Sequence, residues 1–212
     1  MTKENYVKHI QTSLEWAVDR FNLGRDCEEL LFPTLKHSPS AYYGVTAVFE
    51  SVITHRLAYY LESKLRVMQV VSLNTPVSVD CEYDQLLSDE KVMMTLKQEM
   101  DELRRIRTSR KTLDENLREI TVRPDIIVHQ RLSLDLNLAV IEVKKESSSS
   151  KDEEKFARLK LSEFTSKSGR NLYGYEIGFL VLAGDKGPVE TRKLEIAATY
   201  RDGQEVTALR SL

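Results

Sequence analysis

The chain has 212 residues, of which 41% are hydrophobic and 30% are charged. This balance provides enough apolar side chains for one domain with its own core, and it excludes a disordered, collagen-like or disulfide-stapled chain. With 31 basic and 33 acidic residues the formal charge is -2, so the net charge indicates neither a nucleic-acid nor a membrane partner, and either would need a local patch.

The chain begins with a helical pattern. Residues 1–40 contain an amphipathic helix that stops at Gly24, and a second helix is predicted over about 41–64. Valine-rich runs between 66 and 83 predict the two strands of a hairpin. Between 88 and 119, apolar residues at helix-compatible spacing among many charges predict a helical insertion on the surface.

The second half alternates strands with one helix. Strands are predicted at 121–129, 138–145 and 175–183, and an acidic N-terminal turn favours a helix at about 151–166. Asp202-Gly203 is typical of a tight hairpin turn.

The sequence therefore predicts a single α/β domain with a mixed central sheet flanked by helices. Its core covers about 41–183, and a C-terminal β-hairpin follows at about 190–209.

Cysteine usage and hydropathy indicate the compartment. The two cysteines, Cys27 and Cys81, lie far apart and belong to no metal-binding motif, so we expect reduced thiols in a cytoplasmic protein. The longest apolar stretch, 177–184, covers eight residues, whereas a membrane-spanning helix needs about 20. No membrane partner is expected.

Charged residues interrupt the two central apolar strands. Asp125 lies near the start of the first strand, and Glu142 and Lys144 lie in the second. Alternate residues of a strand share a face, so Glu142 and Lys144 point the same way. If the two strands are antiparallel neighbours, Asp125 shares that face when it lies opposite Glu142 or Lys144. Such a cluster is costly to bury unless something satisfies it.

A hard divalent cation would satisfy this cluster. Mg²⁺ takes oxygen ligands and is commonly held by one or two carboxylates together with substrate phosphate. Asp125 and Glu142 supply the carboxylates, and the backbone carbonyl of Val143 is a third protein oxygen. Lys144 would orient an attacking water or stabilise charge on the phosphate. Mn²⁺ also favours such oxygen ligands.

The pattern Pro124-Asp125, sixteen further residues and Glu142-Val143-Lys144 resembles the PD-(D/E)XK, or restriction-endonuclease-like, nuclease superfamily. The predicted order of elements is similar to the αβββαβ core of that family. The resemblance implies metal-dependent hydrolysis of nucleic-acid phosphodiesters, with DNA favoured over RNA.

The resemblance also assigns residues and partners. It implies that Asp125 and Glu142 bind the metal and that Lys144 lies near the attacking water. Many members add a glutamate from the helix before the sheet, for which Glu50 is the first candidate and Glu62 the second. Many members also dimerise to cut two strands, so a homodimer is compatible with this interpretation.

Two basic segments are candidates for nucleic-acid contact. The first lies in the charged segment 88–119. The second lies on the predicted helix at about 151–166, where family members often present basic groups. Of these residues Lys160 is favoured. The candidates are Arg104, Arg105 and Arg107 in the first segment, and Arg158 and Lys160 in the second. The alternative is a solvated helix face on which these residues pair with neighbouring acids.

Three other interpretations stay open. One is a catalytically inactive nucleic-acid or protein interaction module on the same fold. Another is a purely structural salt-bridge cluster at Asp125, Glu142 and Lys144. A third is a partner-binding protein that uses the charged segment 88–119.

Overall fold

A six-stranded sheet forms the centre of the protein. The structure is a computed structural model, and it describes most of the chain in separate ranges. These ranges are 1–24, 27–31, 50–81, 85–86, 89–90, 92–96, 110–112, 117–131, 133–146, 150–167, 173–185 and 191–206.

The described residues form both helices and strands. The helical elements are α1 (Lys3–Leu23), a π-helical segment (Cys27–Leu31), α2 (Glu50–Val67) and α3 (Lys151–Thr165). The strands are β1 (Val77–Cys81), β2 (Gln85–Leu86), β3 (Asp89–Glu90), β4 (Val92–Leu96), β5 (Arg110–Thr112), β6 (Leu117–Thr121), β7 (Ile126–Gln130), β8 (Asn137–Lys145), β9 (Ile177–Ala183), β10 (Leu194–Arg201) and β11 (Gln204–Val206).

The central sheet has the strand order β1-β7-β8-β9-β10-β11. Strands β8 and β9 are parallel and are connected through α3, while the other neighbours in the sheet are antiparallel. This arrangement confirms the predicted α/β class with a mixed sheet flanked by helices.

Helices cover both faces of the sheet. Successive strand residues point to opposite faces, and β8 shows this clearly. Ile141 and Val143 pack in the core that includes α1 and α2, whereas Val140 packs in the core that includes α3. Strand β8 is therefore buried on both faces, as its continuous apolar sequence predicts.

The amphipathic opening helix and the C-terminal hairpin are confirmed. Gly24 is the C-cap of α1, whose apolar stripe is buried. Strands β10 and β11 pair with Arg201 opposite Gln204, and the two residues between them, Asp202 and Gly203, have φ values of 47° and 76°. Two consecutive positive φ angles are what a two-residue hairpin turn of this twist requires. Of the predicted second helix, 41–49 lies outside the described residues.

The helical insertion predicted for 88–119 is wrong for the residues that the structure describes there. Strands β4, β5 and β6 form a separate three-stranded antiparallel sheet, and β2 pairs with β3. Widely spaced apolar residues fit a helical period by coincidence, while the continuous run V-M-M-T-L of β4 suits a strand. Pairing with distant segments then outweighs local helix propensity.

The first strand of the hairpin predicted at 66–83 is also wrong. Gln69 has a positive φ of 57°, which interrupts any extended run. The backbone N–H groups of Val70 and Val71 donate to the carbonyl oxygen of Leu65 at 2.9 and 3.3 Å, so this stretch closes the end of α2. Among the described residues of 66–83, only those of β1 form a strand. No helix in the described ranges is long and apolar enough to cross a membrane.

Candidate active site

The register of β7 and β8 brings the predicted acidic residues together. Ile126 lies opposite Ile141, so one further step along the ladder places Asp125 across from Glu142. Asp125 lies in the bend just before β7, and its Oδ2 accepts a hydrogen bond of 2.7 Å from the backbone N–H of Val143. The predicted antiparallel neighbours and shared face are confirmed.

Lys144 lies between two carboxylates. Its Nζ is 2.7 Å from Glu50 Oε1 and 3.6 Å from Asp125 Oδ2, and it also donates to the carbonyl oxygen of Val143 at 2.8 Å. Burial alone would lower the pKa of Lys144, but the nearby Asp125, Glu142 and Glu50 carboxylates outweigh burial and raise it above its ordinary value. The lysine is therefore a fixed positive charge at the end of β8.

Glu50 ties the start of α2 to the end of β8. Its Oε1 accepts from Lys144, and its Oε2 accepts from the backbone N–H of Lys145 at 3.0 Å. Glu62 instead pairs with Arg66 one turn away on the same helix. The prediction that Glu50 lies closer to the cluster than Glu62 is confirmed, although protein donors already engage both of its oxygens.

A buried ion pair supports this anchor from the other face of β8. The side chain of Lys145 points away from Lys144 and lies 3.0 Å from Asp185 Oδ2, with both side chains almost completely buried. Asp185 follows the end of β9, so the pair fixes the backbone N–H that Glu50 binds. Asp185 is not predicted from the sequence because its contact with β8 depends on the parallel pairing of β8 and β9.

Glu142 is completely buried, with 0% of its surface exposed. Its Oε2 is paired with Lys160 Nζ, but within the described part of the chain its Oε1 is the buried side-chain oxygen or nitrogen that has no hydrogen-bond partner. Burial raises the pKa of Glu142 to about 7; Lys160 opposes this rise and the Asp125 charge adds to it. Glu142 therefore has one engaged oxygen and one unengaged oxygen.

Lys160 was predicted to contact nucleic acid, and the structure corrects this role. The residue is only 7% exposed and its ammonium group lies against Glu142, so it is not on the surface. Ala157, Leu161 and Phe164 are buried on the same face of α3. The signal that could have revealed this position is the helical spacing, since Lys160 occupies an apolar stripe.

The other predicted nucleic-acid contacts have different outcomes. Arg158 lies 3.0 Å from Glu154 and 2.8 Å from Glu205, so its charge is already balanced by two carboxylates. Burial would lower the pKa of Arg158, but its hydrogen bonds to Tyr200 and Glu154 raise it. This pairing argues against a free phosphate contact at Arg158. Arg104, Arg105 and Arg107 lie outside the described residues.

A second polar cluster lies at the opposite end of β7. Asp80 accepts from His129 Nε2 at 2.9 Å and from Arg131 Nε at 2.9 Å. Burial would raise the pKa of Asp80, but these two partners hold it well below its usual range. His129 therefore stabilises the pairing of β1 and β7 and does not contribute to the cluster around Lys144.

Comparisons with models of protein families, with curated proteins and with solved structures find no match for this chain. Within the ranges that the structure describes, no group of three or more His, Cys, Asp or Glu residues meets the geometry of a metal site. The candidate site is therefore the cluster of Glu50, Asp125, Glu142, Lys144 and Lys160.

Proposed function

We propose that this chain is a metal-dependent nuclease that hydrolyses nucleic-acid phosphodiester bonds, with DNA favoured over RNA. The observation that carries the proposal is an oxygen of Glu142 that has no hydrogen-bond partner among the described residues and is buried beside Asp125 and Lys144. A buried polar atom without a hydrogen bond costs free energy, and such atoms are rare in native proteins. A ligand that binds this oxygen would explain why the arrangement is kept.

The order of elements supports a restriction-endonuclease-like core. Helix α2 precedes three antiparallel central strands, β1, β7 and β8, and helix α3 then leads to the parallel strand β9. With β2 to β6 left aside, because they lie outside the central sheet, this order agrees with the αβββαβ core that the sequence resemblance implies. Asp125 lies just before β7 and Glu142 lies near the end of β8, so the two carboxylates are next to the last paired residues, Ile126 and Ile141.

The donor set fits a hard divalent cation. Asp125 and Glu142 supply carboxylate oxygens, and the carbonyl of Val143, which also accepts a hydrogen bond from Lys144, supplies a backbone oxygen between Glu142 and Lys144. Such oxygens are the ligands that Mg²⁺ and Mn²⁺ prefer. When bound, the cation would polarise the phosphate and lower the pKa of a bound water. A third carboxylate, Glu50, stays a prediction as a metal ligand because its oxygens already accept protein hydrogen bonds.

Lys144 has the electrostatic role in this proposal. Its ammonium group stays charged because carboxylates surround it, and Glu50 fixes its position. A fixed positive charge favours negative charge that develops on a phosphoryl oxygen during hydrolysis. The lysine therefore orients water or substrate and donates hydrogen bonds, while Asp125 and Glu142 provide the ligands.

One observation favours a second candidate, an interaction module without catalysis. Both lysines already neutralise carboxylates, since Lys144 pairs with Glu50 and Lys160 pairs with Glu142. A self-neutralised cluster of this kind can serve structure alone. The two candidates differ in whether the purified protein binds a divalent cation and cleaves nucleic acid.

The deciding experiment compares the parent with Asp125→Asn and Lys144→Ala. Cleavage of single- and double-stranded DNA and RNA is measured with Mg²⁺ or Mn²⁺, and metal binding is measured separately by calorimetry. Asp125→Asn is expected to lose both metal binding and cleavage. Lys144→Ala is expected to keep metal binding and to lose about 100-fold or more in cleavage rate, the scale of one lost electrostatic contact.

The control removes the same charge from an exposed position on another helix. Lys8 is exposed on α1, and Lys8→Ala is expected to cleave like the parent. Circular dichroism verifies that each variant folds. A parent that cleaves none of the four substrates, or cleavage that persists unchanged in Asp125→Asn, would favour the interaction module.

A further inference from the structure

The candidate site contains a second lysine, Lys160, which the sequence resemblance places in contact with nucleic acid and not in the carboxylate cluster. Lys160 comes from α3, packs on the side of the sheet opposite α1 and α2, and pairs with Glu142 Oε2. Lys144 comes from β8 and pairs with Glu50. Each lysine thus engages a different carboxylate.

Two contacts hold the ammonium group of Lys160 in place. One is the ion pair with Glu142, and the other is the ring of Phe156, whose centroid is 5.6 Å from Nζ. A cation over an aromatic face is attracted by the ring. Lys160 is only 7% exposed. If its ammonium group moved away from Glu142, a buried positive charge would lose its carboxylate partner, which is costly. The pair is therefore a lasting part of the site.

Counting charges limits how many cations the site can accept. The carboxylates of Glu50, Asp125 and Glu142 face the ammonium groups of Lys144 and Lys160, which leaves one net negative charge when all five are ionised. One divalent ion and one phosphodiester, which carries a single negative charge, would bring the total to zero. A second divalent ion would leave two uncompensated positive charges in a partly buried site, which is costly.

We propose that Lys160 is a positioning residue that stays on one oxygen of Glu142, leaves the other oxygen for a ligand, and limits the site to one divalent cation per chain. The inference rests on the proposed function. It adds the number of ions and a role for Lys160, neither of which the sequence pattern indicates.

The test counts Mn²⁺ bound to the full chain without nucleic acid, from the electron paramagnetic resonance signal of free Mn²⁺. The parent is expected to bind one ion per chain. Lys160→Met is expected to bind this ion tenfold or more tightly, because a positive charge next to a ligand has been removed. Lys160→Arg keeps the charge and is expected to restore the affinity of the parent.

Lys8→Met on exposed α1 is the matched control and is expected to leave the affinity unchanged. If Lys160→Met does not fold, Lys160→Gln takes its place with the same expected tightening, since it can still donate a hydrogen bond to Glu142. Two ions per parent chain, or a folded neutral variant that binds Mn²⁺ no more tightly than the parent, would overturn the inference. A parent that binds no Mn²⁺ would instead refute the proposed function, and the inference with it.

Discussion

Replacing Glu142 with glutamine removes the buried ionisable group at the centre of the site. The pKa of Glu142 is raised to about 7 from an ordinary value of 4.5. Between these values the folded chain holds a proton that the unfolded chain has released, so the stability of the parent falls as the pH rises. At about 1.4 kcal/mol for each pKa unit, the loss amounts to about 3 kcal/mol and is complete above pH 7.

The measurement is urea denaturation of the parent and of Glu142→Gln from about pH 4.5 to about pH 8, followed by circular dichroism. The free energy of unfolding of the variant minus that of the parent is expected to increase by about 3 kcal/mol across this range. The pairing with Lys160 is already included in the raised pKa of Glu142, and any difference in packing between the two side chains adds a penalty that does not change with pH. The test is therefore the change with pH and not the absolute difference.

Glu15→Gln, on the exposed face of α1, is the matched control for the chemical change. A difference for Glu142→Gln that stays flat between about pH 4.5 and about pH 8 would refute the reasoning, because a buried carboxylate with a raised pKa must change its protonation in this range. A flat result would also remove the energetic argument that this carboxylate is kept for a ligand.

Three further substitutions test the elements that position the site, each by urea denaturation. Ser150→Ala removes the N-cap of α3 and its reciprocal bond with Glu153, and should cost about 1 kcal/mol. Asp80→Asn removes the charge that His129 binds and should cost about 2 kcal/mol of stability near neutral pH. The difference should shrink in acid, because the partners that lower the pKa of Asp80 stabilise only its ionised form. Gly178→Val should cost about 2 kcal/mol, since a Cβ there would lie 3.1 Å from Thr165 Cγ2. Losses below about 0.5 kcal/mol would contradict these assignments.

The parts of the fold that the sequence predicts best depend on local signals. The apolar period of α1 ends at Gly24, and the Asp202-Gly203 turn fixes the register of β10 and β11. The alternation in β7 and β8 places Asp125 and Glu142 on one face once the two strands are paired. In each case a few neighbouring residues determine the geometry, so one sequence is enough.

The parts that the sequence predicts poorly depend on distant partners. The segment 88–119 has a spacing that suits a helix, but its described residues form strands. Strand β4 pairs with β6, which lies much later in the sequence, and β5 also pairs with β6. The approach of Lys160 to Glu142 requires the connection from β8 through α3 to fold back over the sheet. A basic residue after the motif therefore suggests a surface contact until this crossover is known.

The energetics of the cluster help to separate a functional site from a structural one. A salt-bridge cluster kept only for stability gains most when every buried oxygen is satisfied, because an unpaired polar group forfeits hydration without recovering it. Glu50 meets this condition, with one oxygen on Lys144 and the other on the backbone N–H of Lys145. Glu142 does not, since Lys160 engages only Oε2, and Oε1 has no hydrogen-bond partner in the part of the chain that the structure describes. The cluster thus contains two kinds of carboxylate. Glu50 has its hydrogen bonds satisfied and fixes Lys144, whereas Glu142 is unsatisfied and lowers the stability of the fold. Natural sequences commonly retain such costs where function requires them, so the unsatisfied oxygen of Glu142 favours a functional site over a purely structural cluster.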